Sequence, residues 1–598
     1  MTRAEIVCRF HIGALAVLAS VAGGCSAEPE SPMLVSPGYA AACLPGQVDP
    51  CACGPGVQGV ATCQPGGLAL GSCECPPAEG QAPGQAPGQA TVPGASSAAG
   101  MAPAGDWGAS PDFPGPDLDP TPPSGDSGPV GAAPEPPVEQ TPPPPPPDPR
   151  ARDIRITEVA LYQAVKVPLV QDGQAVIERN APVIVGKEAF VRVYVEPLSD
   201  FTPREIEAEL TLLSAESAAE PLRVQQRVSG ESDEASLEST INFDVPAGSI
   251  TEDVQWAVTL RELDPAQATG TIDDGARYPA EEDALEPLSP RNAGPLRVML
   301  VPYRYQGDGS GRLPDLSDEQ LDLYRSYIYA YYPISEIEFE MHDPVDYSRQ
   351  IGPNSGWQTW LDSHCQLRNR ESPDPKILYY GLIAPRASAR QYGGGVAGIS
   401  FLPGPAANYG RCSVGLGFEG GQSGFIMAHE LGHSLGLPHA PCGVRGGPFP
   451  YDEAKIGSWG FGLSSRTLKE PDEHYDMMSY CNPAFISDFN FQKLFERVRY
   501  LNLQFGRVPG RAQSKAYLRI LQRDDGGREV VGRQLFDEPP GGEEERRQVR
   551  LFDADGVAID SDSDSYFLPM SEGDAGVWFV PDVGASTVAF DTSERMTL

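Results

Sequence analysis

The segment His429-Glu430-Leu431-Gly432-His433-Ser434-Leu435-Gly436-Leu437-Pro438-His439 places three imidazoles and a carboxylate within eleven positions. On a helix His429 and His433 lie one turn apart, so both rings leave one face and converge on a metal ion, with Glu430 beside them. Gly436 admits the positive φ that ends a helix and turns the chain, which returns His439 as a third nitrogen ligand. Three protein ligands leave one position of a tetrahedral zinc ion open for water, the arrangement of a catalytic rather than a structural site. The plain alternative is an amphipathic helix with solvated histidines; the added glycine and third histidine at fixed spacing argue against it. The chemistry expected is hydrolysis. Zn2+ on His429, His433 and His439 lowers the pKa of its water and polarises a carbonyl, while Glu430 takes the water proton and returns it to the leaving amine.

The histidines need a helix against a sheet. The pattern predicts that helix over residues 424–435, capped by Ser423, with Phe425, Ile426, Ala428 and Leu435 turned inward. Upstream the texture is α/β. Residues 296–302 read as a buried strand, and Ser317 with Gln320 as a capping box opening a helix whose face carries Leu321, Tyr324, Ile328 and Tyr331 before Pro333 stops it. Residues 337–341 and 377–383 supply further strands. The glycine-rich stretch 393–404 predicts an edge strand beside the metal, closing at Pro403, where small residues let a peptide backbone approach; Val396, Ala397 and Gly398 are its candidate substrate-pairing positions. A glycine-rich surface loop is the alternative.

Over about residues 295–505 these features resemble the metzincin zinc endopeptidases. The resemblance implies a twisted mixed sheet with a zinc helix, and it brings in a second landmark, Asp476-Met477-Met478-Ser479-Tyr480. Met478 would form the methionine turn beneath the histidines, since Met477 has the wrong register relative to Tyr480. Tyr480 would serve as a metal ligand or a transition-state hydrogen-bond donor, simple packing being the alternative. Ala440 follows the third histidine where the better-known branches carry other residues, so the branch is unassigned. Cys442 and Cys481 flanking the loop, with the glycine-rich approach, resemble bacterial and pappalysin-like members. The disulfides expected are Cys442 with Cys481, each just beyond a pocket landmark, and hence Cys365 with Cys412; they would fix the insertion 443–474 over the pocket. His474 lacks spacing to the other histidines and reads as a loop residue.

The rest of the 598 residues sets the context. A net charge of -38 disfavours nucleic acid and anionic membrane surfaces as partners. Residues 1–24 read as an export signal, and Cys25 after Gly23-Gly24 stands where a bacterial lipoprotein carries its lipid, although Ala22 replaces the preferred leucine. Of 12 cysteines, one lies in the signal and one is Cys25, leaving ten that divide into clusters of six and four, as disulfides in an oxidising compartment require. The expected plan is a small Cys-rich segment (25–76), a disordered Pro/Gly/Ala-rich linker (77–150), a β-sandwich (151–290), the metallopeptidase domain (291–505) and a C-terminal β domain (510–598). The fold class is thus multidomain, an α/β metzincin-like domain flanked by β-sandwiches. Asp553, Asp555, Asp560, Asp562 and Asp564 lack the glycine and terminal glutamate of an EF-hand and read as a solvated acidic loop rather than a Ca2+ site. The function expected is a secreted or surface-tethered zinc endopeptidase acting on protein or peptide. The rivals are a surface adhesion protein with a vestigial zinc domain and a hydrolase of non-peptide amides.

Overall fold

The computed structural model describes residues 48–54, 57–62, 148–215, 220–371, 373–503, 514–560, 564–590 and 595–598. The expected signal, Cys25, most of the Cys-rich segment, the linker as far as 147, and Asp562 lie outside the described residues. The chain forms two compact units, Met1–Pro136 and Pro137–Leu598. In the first, Val48–Gly54 pairs antiparallel with Val57–Thr62. No helix among the described residues is long and apolar enough to cross a membrane.

The second unit opens with two antiparallel sheets. One carries Ile154–Tyr162, Lys166–Gln171, Ala189–Pro197 and Ile241–Val245; the other carries Arg204–Leu213, Leu222–Val228 and Gln255–Glu262. Period-two alternation turns Ile206, Ala208 and Leu210 toward a core they share with Trp256, Val258 and Leu260. The segment 189–195 departs from simple alternation, because it is buried on both faces. Its second face holds Phe190, Tyr194 and Arg192. Phe461, from the insertion 443–474, stacks on Phe190 at 4.1 Å, and Arg192 is satisfied by Glu234 and the Tyr162 hydroxyl. The insertion expected to cover the pocket therefore docks on this sheet, with Lys166 N donating to Trp459 O at 2.7 Å and Phe461 N to Ala164 O at 2.7 Å.

The central sheet runs in the order Ile337–Met341, Leu296–Tyr305, Ile377–Ile383, Cys412–Leu416, Gly398–Ser400; all neighbours are parallel except the last pair. Ile377–Ile383 is buried throughout, as a parallel strand covered on both faces must be. One face, with Leu378, Tyr380 and Leu382, packs on the helices Asp318–Tyr331 and Gly421–Ser434. The other, with Tyr379 and Ile383, packs on Trp357–Glu371 through Trp360, Leu361 and Cys365. Ser317 caps its helix, accepting from Gln320 N at 3.3 Å. The Gln320 side chain does not complete the box. It clamps Gly420, the residue preceding the histidine helix, accepting from its N–H at 2.7 Å and donating to its carbonyl at 3.3 Å.

The C-terminal strands form a five-stranded and a four-stranded antiparallel sheet. They are not an appended module. Tyr517, Leu568, Met570 and Phe579 share one core with Ile399, Phe401 and Tyr409, and Tyr409 meets Phe579 edge-on at 4.8 Å. An ion pair buried at this junction, Arg519 to Asp362 at 2.8 Å, ties the last sheets to Trp357–Glu371.

Candidate metal centre and cleft

The histidine helix spans Gly421–Ser434 with Gly420 before it, so Ser423 lies inside the first turn rather than capping it. The physical reason is the Gln320 clamp, which satisfies the helix start from another element and lets it begin three residues earlier than residue 424. Gly436 adopts φ +85, and a side chain there would meet Pro403 O at 2.8 Å. The chain reverses at this point, and His439 returns.

The three Nε2 atoms converge. His433 Nε2 lies 3.1 Å from His429 Nε2 and 3.1 Å from His439 Nε2. His429 Nδ1 donates to Met477 O at 2.8 Å and His433 Nδ1 to Leu437 O at 2.6 Å. A carbonyl can only accept, so the proton of each ring sits on Nδ1 and the Nε2 lone pairs face one another. That convergence of lone pairs is repulsive unless a cation lies between them. Two ligands of a tetrahedral zinc ion are separated by about 3.3 Å when the bonds are about 2.0–2.1 Å. The donor set therefore fits the ion. Burial pushes the imidazoles of His429 down to about 4 and His439 down to about 3, and that of His433 well below its ordinary value, so all three are neutral and ready to ligate.

Glu430 is 4% exposed, and its Oε2 has no hydrogen-bond partner. Burial, with the charge of Glu572 added, drives its carboxyl well above the usual range, the poise of a group that takes up a proton. It faces a cleft of about 690 Å³ lined by Val396, Gly398, Gln422, Phe425, Tyr480 and Asn482 among others. No residue of the insertion 443–474 lines it.

Met478 is fully buried, and a side chain at Gly432 would meet its sulfur at 2.7 Å, which places it directly beneath the helix. Met477 contributes its carbonyl to His429. Asp476 holds this turn, its Oδ1 accepting from Met478 N and Asn490 Nδ2, both at 2.8 Å, and its Oδ2 from Ser487 N at 3.0 Å. The Tyr480 ring lies 5.0 Å from that of His439, and its hydroxyl donates to Glu572. Cys442 is bonded to Cys481 and Cys365 to Cys412. His474 stands apart from the three histidines, which form the one metal-competent cluster among the described residues.

Gly398–Ser400 is the edge strand. Val396 and Ala397 precede it, Ala397 O still accepting from Leu416 N at 2.9 Å. Antiparallel alternation then turns the N–H and C=O of Gly398 and Ser400 outward. Ser400 has both groups engaged, its N–H by Ser571 Oγ at 3.1 Å and its carbonyl by Ser571 N at 2.8 Å. Val396 N donates to Pro353 O at 2.8 Å. The three candidate substrate-pairing positions thus reduce to Gly398, and Pro403 lies past the strand end. Glu572 and Ser571, which sequence reasoning missed, carry no local signal; Tyr480 and Glu572 are 92 positions apart.

Three converging imidazoles beside a buried carboxylate in an open cleft make a candidate metal centre. The chain is similar there to a metallopeptidase family: the Peptidase M66 family model matches residues 404–489, a span that contains every histidine of the site, Glu430, Met478 and Tyr480. The chain is 32% identical over 126 residues to Dictomallein-1 of Dictyostelium discoideum, a match spanning 20% of this chain and 19% of that protein. Among solved structures, metalloproteinase-II from Bacteroides fragilis is 16% identical at TM-score 0.21, covering 34% of this chain and 53% of that one. A chaperone–substrate complex is 12% identical at TM-score 0.20, covering 44% and 40% respectively. At these scores neither structure adds to the fold argument.

Proposed function

We propose that the chain is a zinc-dependent endopeptidase of metzincin type, exported and tethered through Cys25. The observation that carries the reading is the convergence of three neutral Nε2 donors next to the buried Glu430 at the cleft floor. His429, His433 and His439 would hold the ion, and zinc, when bound, supplies the Lewis acidity that acidifies water and polarises the scissile carbonyl. Glu430 accepts the proton of the attacking water and delivers it to the leaving amine, a role its raised affinity for a proton suits. Gly398 would present its outward N–H and C=O to an extended peptide, and Tyr480, whose hydroxyl donates to Glu572, would turn it to the developing oxyanion. Met478 packs under the helix as the methionine turn.

The Glu430→Gln variant is expected to bind zinc with the parent's stoichiometry and to lose peptide cleavage by at least about 10²-fold. Turnover at the parent's rate refutes the assignment. The tether is tested by metabolic labelling with a fatty acid; absence of label on the parent, or label surviving Cys25→Ser, removes the anchor.

A further inference from the structure

In the edge strand Gly398–Ser400, the residues at both ends turn their N–H and C=O away from Cys412–Leu416. A chain adding to the sheet would pair with Gly398 and, two residues further along, with Ser400. The second position is already filled by the protein itself. Residues 569–571, at the turn that joins Asp564–Pro569 to Gly576–Pro581, lie along residues 400–402 in the antiparallel sense. Leu402 N donates to Pro569 O at 2.9 Å, and Phe401 bridges Met570. Ser571 N donates to Ser400 O at 2.8 Å, and its Oγ accepts from Ser400 N at 3.1 Å. Gly573, at φ +66, reverses the chain, and Gly398 is left open.

The segment is held in place from behind. Met570 N donates across the turn to Ala575 O at 2.9 Å, and these two residues are 2% and 1% exposed. Both belong to the core that the C-terminal sheets share with Phe401 and Tyr409, so swinging the segment aside would expose that core. The cleft stops at the same boundary: Gly395, Val396, Ala397 and Gly398 line it, whereas Ile399 and Ser400 do not.

A Cβ at Gly398 would come within 2.6 Å of Glu430 Cγ, so the bond to be cut lies at the level of this residue. Cys412–Leu416 and residues 569–571 both run antiparallel to the edge strand. A peptide adding in that sense has its N-terminal residues toward Ser400 and its C-terminal residues toward Gly395. We propose that residues 569–571 are a fixed wall standing in the substrate's own place on the edge strand. Pairing before the scissile bond is confined to the residue opposite Gly398 and its neighbour. Selectivity falls on the C-terminal side, where Gln422, Phe425 and Ile426 line the open cleft. A longer chain is still cut, its earlier residues leaving the line of the sheet and contributing nothing. The inference rests on the peptide-hydrolysis reading and narrows it.

The test uses the full chain loaded with zinc and a peptide taken from a site that it cuts in a denatured proteome. Two N-acetylated, C-amidated series are made from that peptide. One carries one to four residues before the cleaved bond with the far side constant; the other carries one to four residues after it. Lengthening the first series from two residues to four is expected to leave kcat/KM within about twofold, whereas trimming the second from four residues to one is expected to cost at least about tenfold, because binding energy remote from the bond is lost. A tenfold gain from the third or fourth residue before the bond, or a flat response after it, overturns the wall and leaves the peptidase reading intact. A proteome in which no bond is cut defeats the peptidase reading, and the wall with it.

Discussion

Replacing Gly398 with alanine separates the chemistry of the site from the stability of the fold. Gly398 lies in the edge strand directly over the Glu430 side chain. A Cβ placed there would approach Glu430 Cγ and Oε1 at 2.6 Å, 0.8 Å inside the 3.4 Å at which ordinary contact begins. The strand itself is unstrained, since Gly398 has no left-handed φ. Alanine there costs the backbone nothing and narrows the unfolded ensemble, a gain of about 0.4–1 kcal/mol. The conflict falls on a glutamate side chain and on no backbone atom, so the carboxylate yields and the strand does not. A catalytic group displaced by close to an ångström typically loses about 10²-fold in rate. The expected result is a fall of that size in kcat/KM on a peptide substrate, with parental zinc content and no drop in thermal midpoint. Cleavage within twofold of the parent refutes the placement of Glu430 as the base beneath this strand. A large fall in thermal midpoint refutes the claim that the strand is indifferent to the added methyl.

Two further outcomes follow from the burial of charge. Arg519→Met leaves Asp362, 5% exposed at its side chain, without its cation, and is expected to cost about 3–5 kcal/mol in urea unfolding; a loss below about 1 kcal/mol would show that the two regions are not joined through this pair. The metal-free chain is expected to lose stability as pH falls below 6.5, because a histidine whose folded pKa is depressed stabilises the fold above its unfolded value and gives up that contribution as pH approaches the folded one. For His429, lowered by burial to about 4, the contribution is on the order of 3 kcal/mol. Thermal midpoints measured between pH 7 and pH 4 check it, and a flat profile is inconsistent with neutral buried imidazoles.

The histidine segment was legible because its information is local. Helical spacing puts His429 and His433 on one face, and the glycine at 436 is what the reversal to His439 requires, here at φ +85. The same holds for the capped helix opened by Ser317 and for the alternation of Arg204–Leu213. Helix starts were less legible. Ser423 has the side chain of a cap, yet the start is set by Gln320, which lies 100 positions away.

What needed the tertiary structure is every feature whose partner is remote in sequence. The insertion 443–474 follows the third histidine directly, but its Phe461 finds an apolar face at Phe190 and is drawn to the first sheet instead of the pocket. Residues 393–404 announce small side chains and a close backbone approach. Only the pairing with Cys412–Leu416 and the seizure of Ser400 by Ser571 decide that Gly398 alone remains open. Glu572 has an unremarkable sequence setting, and it reaches Tyr480 because a shared apolar core holds the C-terminal sheets against the edge strand. Sequence by itself singled out the three histidines and Glu430 as the candidate group, since periodicity and backbone freedom act over a few residues. That Glu572 meets Tyr480 was decided by packing between segments that have no local relation.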